Sequence, residues 1–75
     1  MFINLSIEAY GITQDIRIDN GQKIGECLRV LQQSGRLPPG EIPPYFCSQM
    51  MQTLVSPHQT FEEAKIFDGD TLSGV

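Results

Sequence analysis

The side chains that could carry chemistry in this chain are few and lie far apart in the sequence. There are two cysteines, Cys27 and Cys47, and a single histidine, His58. A structural zinc site needs four ligands, and a catalytic nucleophile needs a neighbouring base. Cys27 belongs to a set of apolar residues at helical spacing, and burial there disfavours a thiolate. His58 lies beside a proline in a polar segment. We therefore expect free, largely buried thiols and an exposed loop histidine.

The acidic residues near the C-terminal end also lack the pattern of a site. The run Asp68-Gly69-Asp70 resembles part of a calcium loop, but a complete loop needs more oxygen ligands and a bidentate glutamate at its end. Glu62 and Glu63 are adjacent, so their side chains diverge on any regular element. These patterns predict a turn and a solvated face. The sequence thus predicts no catalytic residue, no metal site and no cofactor.

The length and charge of the chain point to a small domain that binds proteins. A chain of 75 residues has room for one domain, spanning residues 1–75. Its net charge of -4 argues against nucleic acid or an anionic membrane as the main partner. No apolar run approaches the ~20 residues of a membrane span, and the first residues lack the pattern of a signal peptide. We therefore expect a cytoplasmic protein without direct membrane insertion.

The first half of the sequence predicts a hairpin followed by a helix. Apolar residues at 3, 5 and 7 alternate with polar ones, which is typical of a half-buried strand. The alternation breaks at Gly11 and resumes with isoleucines at 16 and 18. The apolar spacing at 24, 27, 28 and 31 predicts a helix over 22–34. Asp19 and Asn20 offer side-chain oxygens to cap its first turn, and Gly35 is the expected C-terminal stop.

The second half predicts a stiff connection and short strands. Residues 36–44 hold four of the five prolines, which favours a rigid loop. Short strands are expected at 45–49 and at Leu54 with Val55, joined through residues 50–53. A turn at 68–70 then leads to a closing strand with Leu72 and Val75, which Gly74 is expected to leave frayed or short.

This order of elements predicts an α+β, β-grasp (ubiquitin-like) fold. One amphipathic helix would pack across a mixed sheet of four to five strands. The expected core comprises Ile3, Leu5, Ile7, Ile16, Ile18, Ile24, Cys27, Leu28, Leu31, Phe46, Leu54, Phe61, Ile66 and Leu72.

Four segments taken together resemble one protein family. They are MFINLSIEAY at 1–10, QDIRID at 14–19, the Pro-Pro connection after the helix and IFDGDTL at 66–72. In this order, over essentially the whole chain, they resemble the YukD-like (EsaB-like) family of small bacterial ubiquitin-like proteins associated with type VII secretion systems. The run TFEEAKIFDGDTLSGV at 60–75 also looks like the last part of ubiquitin-like domains.

The resemblance implies a cytosolic, non-enzymatic accessory or regulatory component of such a secretion system. Its partner would be a cytosolic domain of a membrane component of that system, and the protein would not be conjugated to targets. The residues favour the same expectation, because conjugation or sulfur transfer needs a terminal Gly-Gly carboxylate and this sequence reads Ser73-Gly74-Val75 at its end. Two alternatives stay open. One is a sulfur carrier or ubiquitin-type modifier whose Gly-Gly tail is missing from this chain, and the other is an adaptor subunit of an unrelated complex.

Four apolar residues in predicted turns are the candidates for protein binding. Tyr10 and Ile12 flank the break in the first hairpin, and neither is needed by the strand alternation. Met50 and Met51 lie in a second turn, where soft side chains suit adaptable contacts. Exposed strand edges are a second route, since a partner segment can add a strand through main-chain hydrogen bonds.

Overall fold

A mixed five-stranded sheet and one helix make up residues 1–74, which the computed structural model describes. The elements are, in chain order, β1 (Phe2–Ala9), β2 (Ile12–Asp19), α1 (Ile24–Gln33), β3 (Phe46–Ser48), β4 (Thr53–Val55) and β5 (Thr71–Gly74). In space the strands follow the order β2-β1-β5-β3-β4. The β1–β5 pair is parallel and the other neighbouring pairs are antiparallel. The predicted β-grasp arrangement is confirmed.

The core lies between α1 and one face of the sheet. In β1 the alternating residues Ile3, Leu5 and Ile7 are buried, and α1 buries its stripe at 24, 27, 28 and 31. Both sets belong to one buried cluster. Ile18, predicted to be a core residue, is only half-buried and packs against this cluster, whereas Ile16 of the same strand is buried.

Strand β4 has the opposite phase to the one predicted. Leu54 is 65% exposed, whereas Val55 is 5% exposed. The register explains the difference, since Val55 pairs with the fully buried Phe46 while Leu54 pairs with the half-buried Cys47 on the other face. The prediction that Leu54 is a core residue is therefore wrong, and Val55 takes that place.

The helix begins later than predicted because its first turn is capped from elsewhere in the chain. Lys23 is the N-cap residue, and its side chain makes no capping hydrogen bond. Instead, the backbone amides of Ile24 and Gly25 donate to the carbonyls of Gln59 and Pro57, at 3.0 and 2.9 Å. The prediction that Asp19 and Asn20 cap the helix is wrong. The Asp19 carboxylate accepts from the Gly21 amide in a local turn.

The helix ends at the predicted glycine, and the chain then returns to the core. Gly35 has a φ of 79°, its amide donates to the Gln32 carbonyl, and the Arg36 amide donates to the Leu31 carbonyl. These are the two hydrogen bonds of a Schellman motif. Leu37, only 2% exposed, follows directly and packs in the core. Sequence reasoning missed it because it lies in the proline-rich connection.

The closing strand has four residues and continues through Gly74, so it is short, as expected, but this glycine does not interrupt it. Gly74 pairs with Phe46 across the sheet. A Cβ atom at this position would lie 2.7 Å from Cγ of Pro43, so only glycine lets the connection pack this closely on β5. The sequence also predicts Val75 in this strand, but Val75 lies outside the described residues.

Candidate interaction surfaces

Tyr10 and Ile12 lie at the β1–β2 hairpin, where the alternation breaks. Tyr10 and Gly11 have φ values of 56° and 74°, as a two-residue type I′ turn requires. Tyr10 is 39% exposed and Ile12 is 38% exposed. The Tyr10 hydroxyl donates to the Glu41 carbonyl and accepts from Nε2 of Gln32. Tyr10 therefore ties the hairpin turn to the connection, and only part of its ring is open to a partner.

Met50 and Met51 lie in the turn between β3 and β4, and we call them the methionine turn. They are 52% and 44% exposed. Gln52 follows with a φ of 54°, the left-handed conformation that glycine or asparagine usually supplies. This turn therefore forms without the glycine signal that normally marks it in a sequence.

A buried carboxylate fixes the backbone of the methionine turn. Asp70 is 2% exposed. Its Oδ1 accepts from the amides of Met50 and Thr71, at 3.0 and 2.7 Å, and its Oδ2 accepts from the Ser48 hydroxyl. The Ser48 hydroxyl in turn accepts from the Met51 amide at 3.2 Å. The exposed methionines therefore stand on a buried polar network.

Strand parity was the signal that could have found this network in the sequence. Ser48 lies two residues after the buried Phe46, and Asp70 lies two residues before the buried Leu72. Alternate residues share a face of a strand, so both polar side chains point to the core side. A buried carboxylate needs hydrogen-bond donors, and the neighbouring turn supplies them.

The four predicted binding residues form two separate patches. Strands β1 and β5 run parallel, so the hairpin turn that ends β1 lies beside the end of β5. Strand β3 runs antiparallel to β5, so the methionine turn that follows β3 lies beside the start of β5. Tyr10 and Ile12 are therefore at one end of the sheet and the two methionines at the other. Their role in protein binding stays a prediction.

Further exposed apolar side chains were not among the predicted binding residues. They are between 53% and 65% exposed: Phe2, Val30, Tyr45, Leu54 and Phe67. The Phe2 ring lies 5.3 Å from Cζ of Arg17, within the range of a cation–π contact. Phe2 and the buried Ile3 are neighbours in β1, so the Phe2 side chain lies on the face of the sheet away from the core.

The two edges of the sheet are β2 and β4, and β2 is partly covered. Nη2 of Arg36 donates to the Asp15 carbonyl at 3.1 Å, and Nε2 of Gln14 donates to the Arg36 carbonyl at 2.8 Å. The segment after α1 thus satisfies one main-chain carbonyl of β2, that of Asp15, and binds the Gln14 side chain. A partner strand added at this edge would have to displace the Arg36 side chain.

The potential nucleophiles and ligands are dispersed over the fold. Cys27 is 3% exposed, and burial raises the pKa of its thiol to about 11. Cys47 is half-buried on the opposite face of the sheet, and both thiols are free. His58 is exposed in the loop after β4. Within residues 1–74, no group of three or more His, Cys, Asp or Glu residues is placed to hold a metal ion.

Glu63 lies on the solvated face that the sequence predicts, and it also takes part in a local hydrogen-bonded structure. Its amide donates to Oγ1 of Thr60 at 3.0 Å, and its Oε1 accepts from the Thr60 amide at 2.9 Å, which is a capping box. The hydrogen bond from the Thr60 backbone lowers the pKa of the Glu63 carboxyl. Both Glu62 and Glu63 are exposed, as predicted.

A cleft of about 510 Å³ opens between the start of α1, the end of the connection and the loop after β4. Its apolar wall comes from residues 42–45 and Pro57, and its rim includes Lys23, Arg29 and His58. We call it the proline cleft. Sequence reasoning could not find it, because three segments that are distant in the chain meet only in the folded state.

Comparison with known proteins supports the fold and nothing finer. No family model matches the chain, and no curated protein matches it. Among solved structures, a protein designed on the basis of ubiquitin aligns with a TM-score of 0.68 and 22% sequence identity, over 96% of this chain and 84% of that one. This chain therefore has a ubiquitin-like β-grasp fold. Within residues 1–74, no helix has the length and apolar content needed to cross a membrane.

Proposed function

We propose that this protein is a non-enzymatic, ubiquitin-like module that binds another protein. The observation that carries the proposal is the methionine turn, in which two exposed apolar side chains stand on a backbone held by the buried Asp70 and Ser48. A preorganised apolar surface loses little conformational entropy when a partner covers it. The reactive groups support the same proposal, because Cys27 is buried as a neutral thiol and His58 lies in a separate loop.

The more specific proposal is a cytosolic accessory or regulatory component of a type VII secretion system, without conjugation to targets. It is supported by the resemblance of four segments to the YukD-like family, which fall on β1, β2, the connection and the turn leading into β5. The partner would then be a cytosolic domain of a membrane component of the system. A ubiquitin-like fold serves many functions, so the fold alone does not select this one.

Site-specific photocrosslinking in cells that carry such a secretion system tests both proposals. A photoreactive amino acid replaces Met50 in one variant and Ile12 in another, and a matched control carries it at Gln33, an exposed polar position at the end of α1. We expect a component of the secretion system to be captured from Met50 or Ile12 and not from Gln33. In a pull-down without a photoreactive residue, the double variant Met50→Ser/Met51→Ser should recover less of the partner than the unchanged protein does. Urea unfolding of the variant checks that it remains stable.

Two results would contradict these proposals separately. Capture of unrelated proteins, with no component of the secretion system, would remove the secretion role and leave a binding module. Equal capture from Gln33 and from the apolar positions would show that the two turns are not the binding surface.

A further inference from the structure

The proline cleft has walls that are fixed before any partner arrives. The Gly25 amide donates to the Pro57 carbonyl at 2.9 Å, and a Cβ atom at Gly25 would lie 3.1 Å from that oxygen, so helix and loop are in close contact. On the other side, Pro43 packs against Gly74. Further back, Gln32 donates to the carbonyls of Pro38 and Gly40 and holds the connection against α1. The cleft is therefore preformed, which lowers the entropic cost of binding.

The apolar wall of the cleft suits an extended segment that is recognised through packing of its side chains. It consists of Ile42, Pro43, Pro44, Tyr45 and Pro57, and Tyr45 is 53% exposed. Prolines have no backbone N–H, so this wall offers little for strand addition. Aromatic-lined grooves accept extended, proline-rich segments by packing, and Tyr45 supplies an aromatic ring in this cleft. This favours an apolar or proline anchor in the ligand.

The rim of the cleft is basic, although the chain as a whole is acidic. Five Lys and Arg residues stand against nine Asp and Glu in the sequence, yet Lys23, Arg29 and His58 all line the cleft and are exposed. Among the described residues, Glu26 is the only carboxylate in the lining. In residues 1–74 the one ion pair joins Asp19 to the N-terminus, so neither Lys23 nor Arg29 forms a salt bridge with a residue in that range.

From this combination we infer that the proline cleft binds an extended acidic segment of a partner protein, with an apolar or proline residue seated against Tyr45. Acidic side chains on the segment pair with Arg29 and Lys23, which supplies the charge complementarity that orients a partner and speeds its association. The inference rests on the proposed binding function and adds a surface distinct from the two turns. An acidic protein segment is favoured over a polynucleotide, because the other charges of the chain repel a long polyanion.

The test uses isotope-labelled full-length protein and a labelled synthetic peptide that has glutamates on both sides of a central Leu-Pro pair. One control peptide has lysine in place of glutamate, and a second keeps the glutamates but has the Leu-Pro pair replaced by serines. We expect amide NMR shifts at Lys23, Glu26, Arg29, Tyr45 and His58 with the acidic peptide, and little change with either control. Binding should weaken as salt is added, because the rim charges are exposed.

Charge reversal separates a local contact from a general charge effect. Arg29→Glu should lower the affinity for the acidic peptide by about five- to tenfold, since it replaces an attraction by a repulsion at the rim. Lys65→Glu is the matched control, because Lys65 is exposed and lies outside the cleft lining but changes the net charge equally. It should weaken binding by less than about twofold.

The inference fails if the acidic peptide shifts amides at the hairpin or the methionine turn instead, or if it shifts no amide in the cleft. It fails equally if Lys65→Glu and Arg29→Glu weaken peptide binding to the same extent. It also fails if a single-stranded oligonucleotide shifts the same amides at lower concentration than the peptide. These measurements need no secretion system, so peptide binding in the cleft with no secretion component captured would overturn the proposed secretion role alone.

Discussion

The buried carboxylate of Asp70 gives the sharpest prediction, because removing it leaves several donors without an acceptor. Asp70→Ala deprives the amides of Met50 and Thr71 and the hydroxyl of Ser48 of their partner. An unsatisfied buried donor costs about 1–3 kcal/mol. The Met50 and Thr71 amides are only partly buried and regain some water, so we take the low end for each donor and expect a total loss of about 3 kcal/mol.

This loss is large for a chain of this size. At about 0.05–0.15 kcal/mol per residue, the free energy of unfolding would be roughly 4–11 kcal/mol. Asp70→Ala therefore removes between a quarter and most of it. Urea unfolding followed by circular dichroism measures the loss, and hydrogen exchange should show the amides of Met50 and Met51 opening earlier than those of β1.

A neighbouring carboxylate provides the matched control. Asp68 lies in the same turn but is exposed, and it accepts from the Asn4 amide at 2.7 Å. Asp68→Ala should cost only about 1 kcal/mol. A double-mutant cycle of Asp70→Asn with Ser48→Ala should give a coupling energy of about 1 kcal/mol. If Asp70→Ala costs no more than Asp68→Ala, or leaves exchange at the methionine turn unchanged, the role assigned to the network is refuted.

Three further substitutions test other features of the fold. Gln52→Gly should raise the free energy of unfolding by about 0.5–1 kcal/mol, because the φ of 54° strains a residue with a Cβ atom; a lower urea midpoint would contradict this. Gly25→Ala should lower the free energy of unfolding by about 1 kcal/mol. Crowding of the added methyl group against Pro57 costs about 1–3 kcal/mol, which outweighs a gain in helix propensity of at most about 1 kcal/mol. A more stable variant would show that the loop moves to accommodate the methyl group. The Cys27 thiol has its pKa raised by burial to about 11, so its neutral form stabilises the folded state fully below the unfolded-state pKa of about 8.5. That contribution is lost as pH rises towards 11, by up to about 1.4 kcal/mol per pH unit. Cys27→Ala should be less stable at neutral pH yet lose less stability over this interval, and equal losses in both proteins would contradict the assignment.

Periodicity predicted the elements whose two faces differ strongly in polarity. The alternation in β1 and the apolar stripe of α1 extend over enough residues to fix which face is buried. Strand β4 has three residues, so alternation alone does not set its phase, and Leu54 was assigned to the wrong face. Its phase is set by pairing with β3, which is a property of the folded sheet.

The candidate surfaces were predictable only in part, for a similar reason. The exposed methionines follow from their place in a turn, but their support by Asp70 comes from a residue twenty positions away. The sequence does not predict the exposure of Tyr45, because alternation in the short strand expected at 45–49 does not decide which face Tyr45 takes. The start of α1 was misplaced since its capping groups are backbone carbonyls, which every residue has and no sequence pattern distinguishes.

The capping of α1 by the carbonyls of Pro57 and Gln59 bears on the order in which the chain folds. A helix of ten residues is below the roughly 12–15 at which an isolated helix becomes marginally stable in water. Its first turn cannot be completed until the polypeptide has passed through β3 and β4 and come back. Helix formation is thereby coupled to sheet assembly, so nonlocal contacts, and not helix propensity, should limit the folding rate, and a peptide of residues 20–36 alone should stay mostly unstructured.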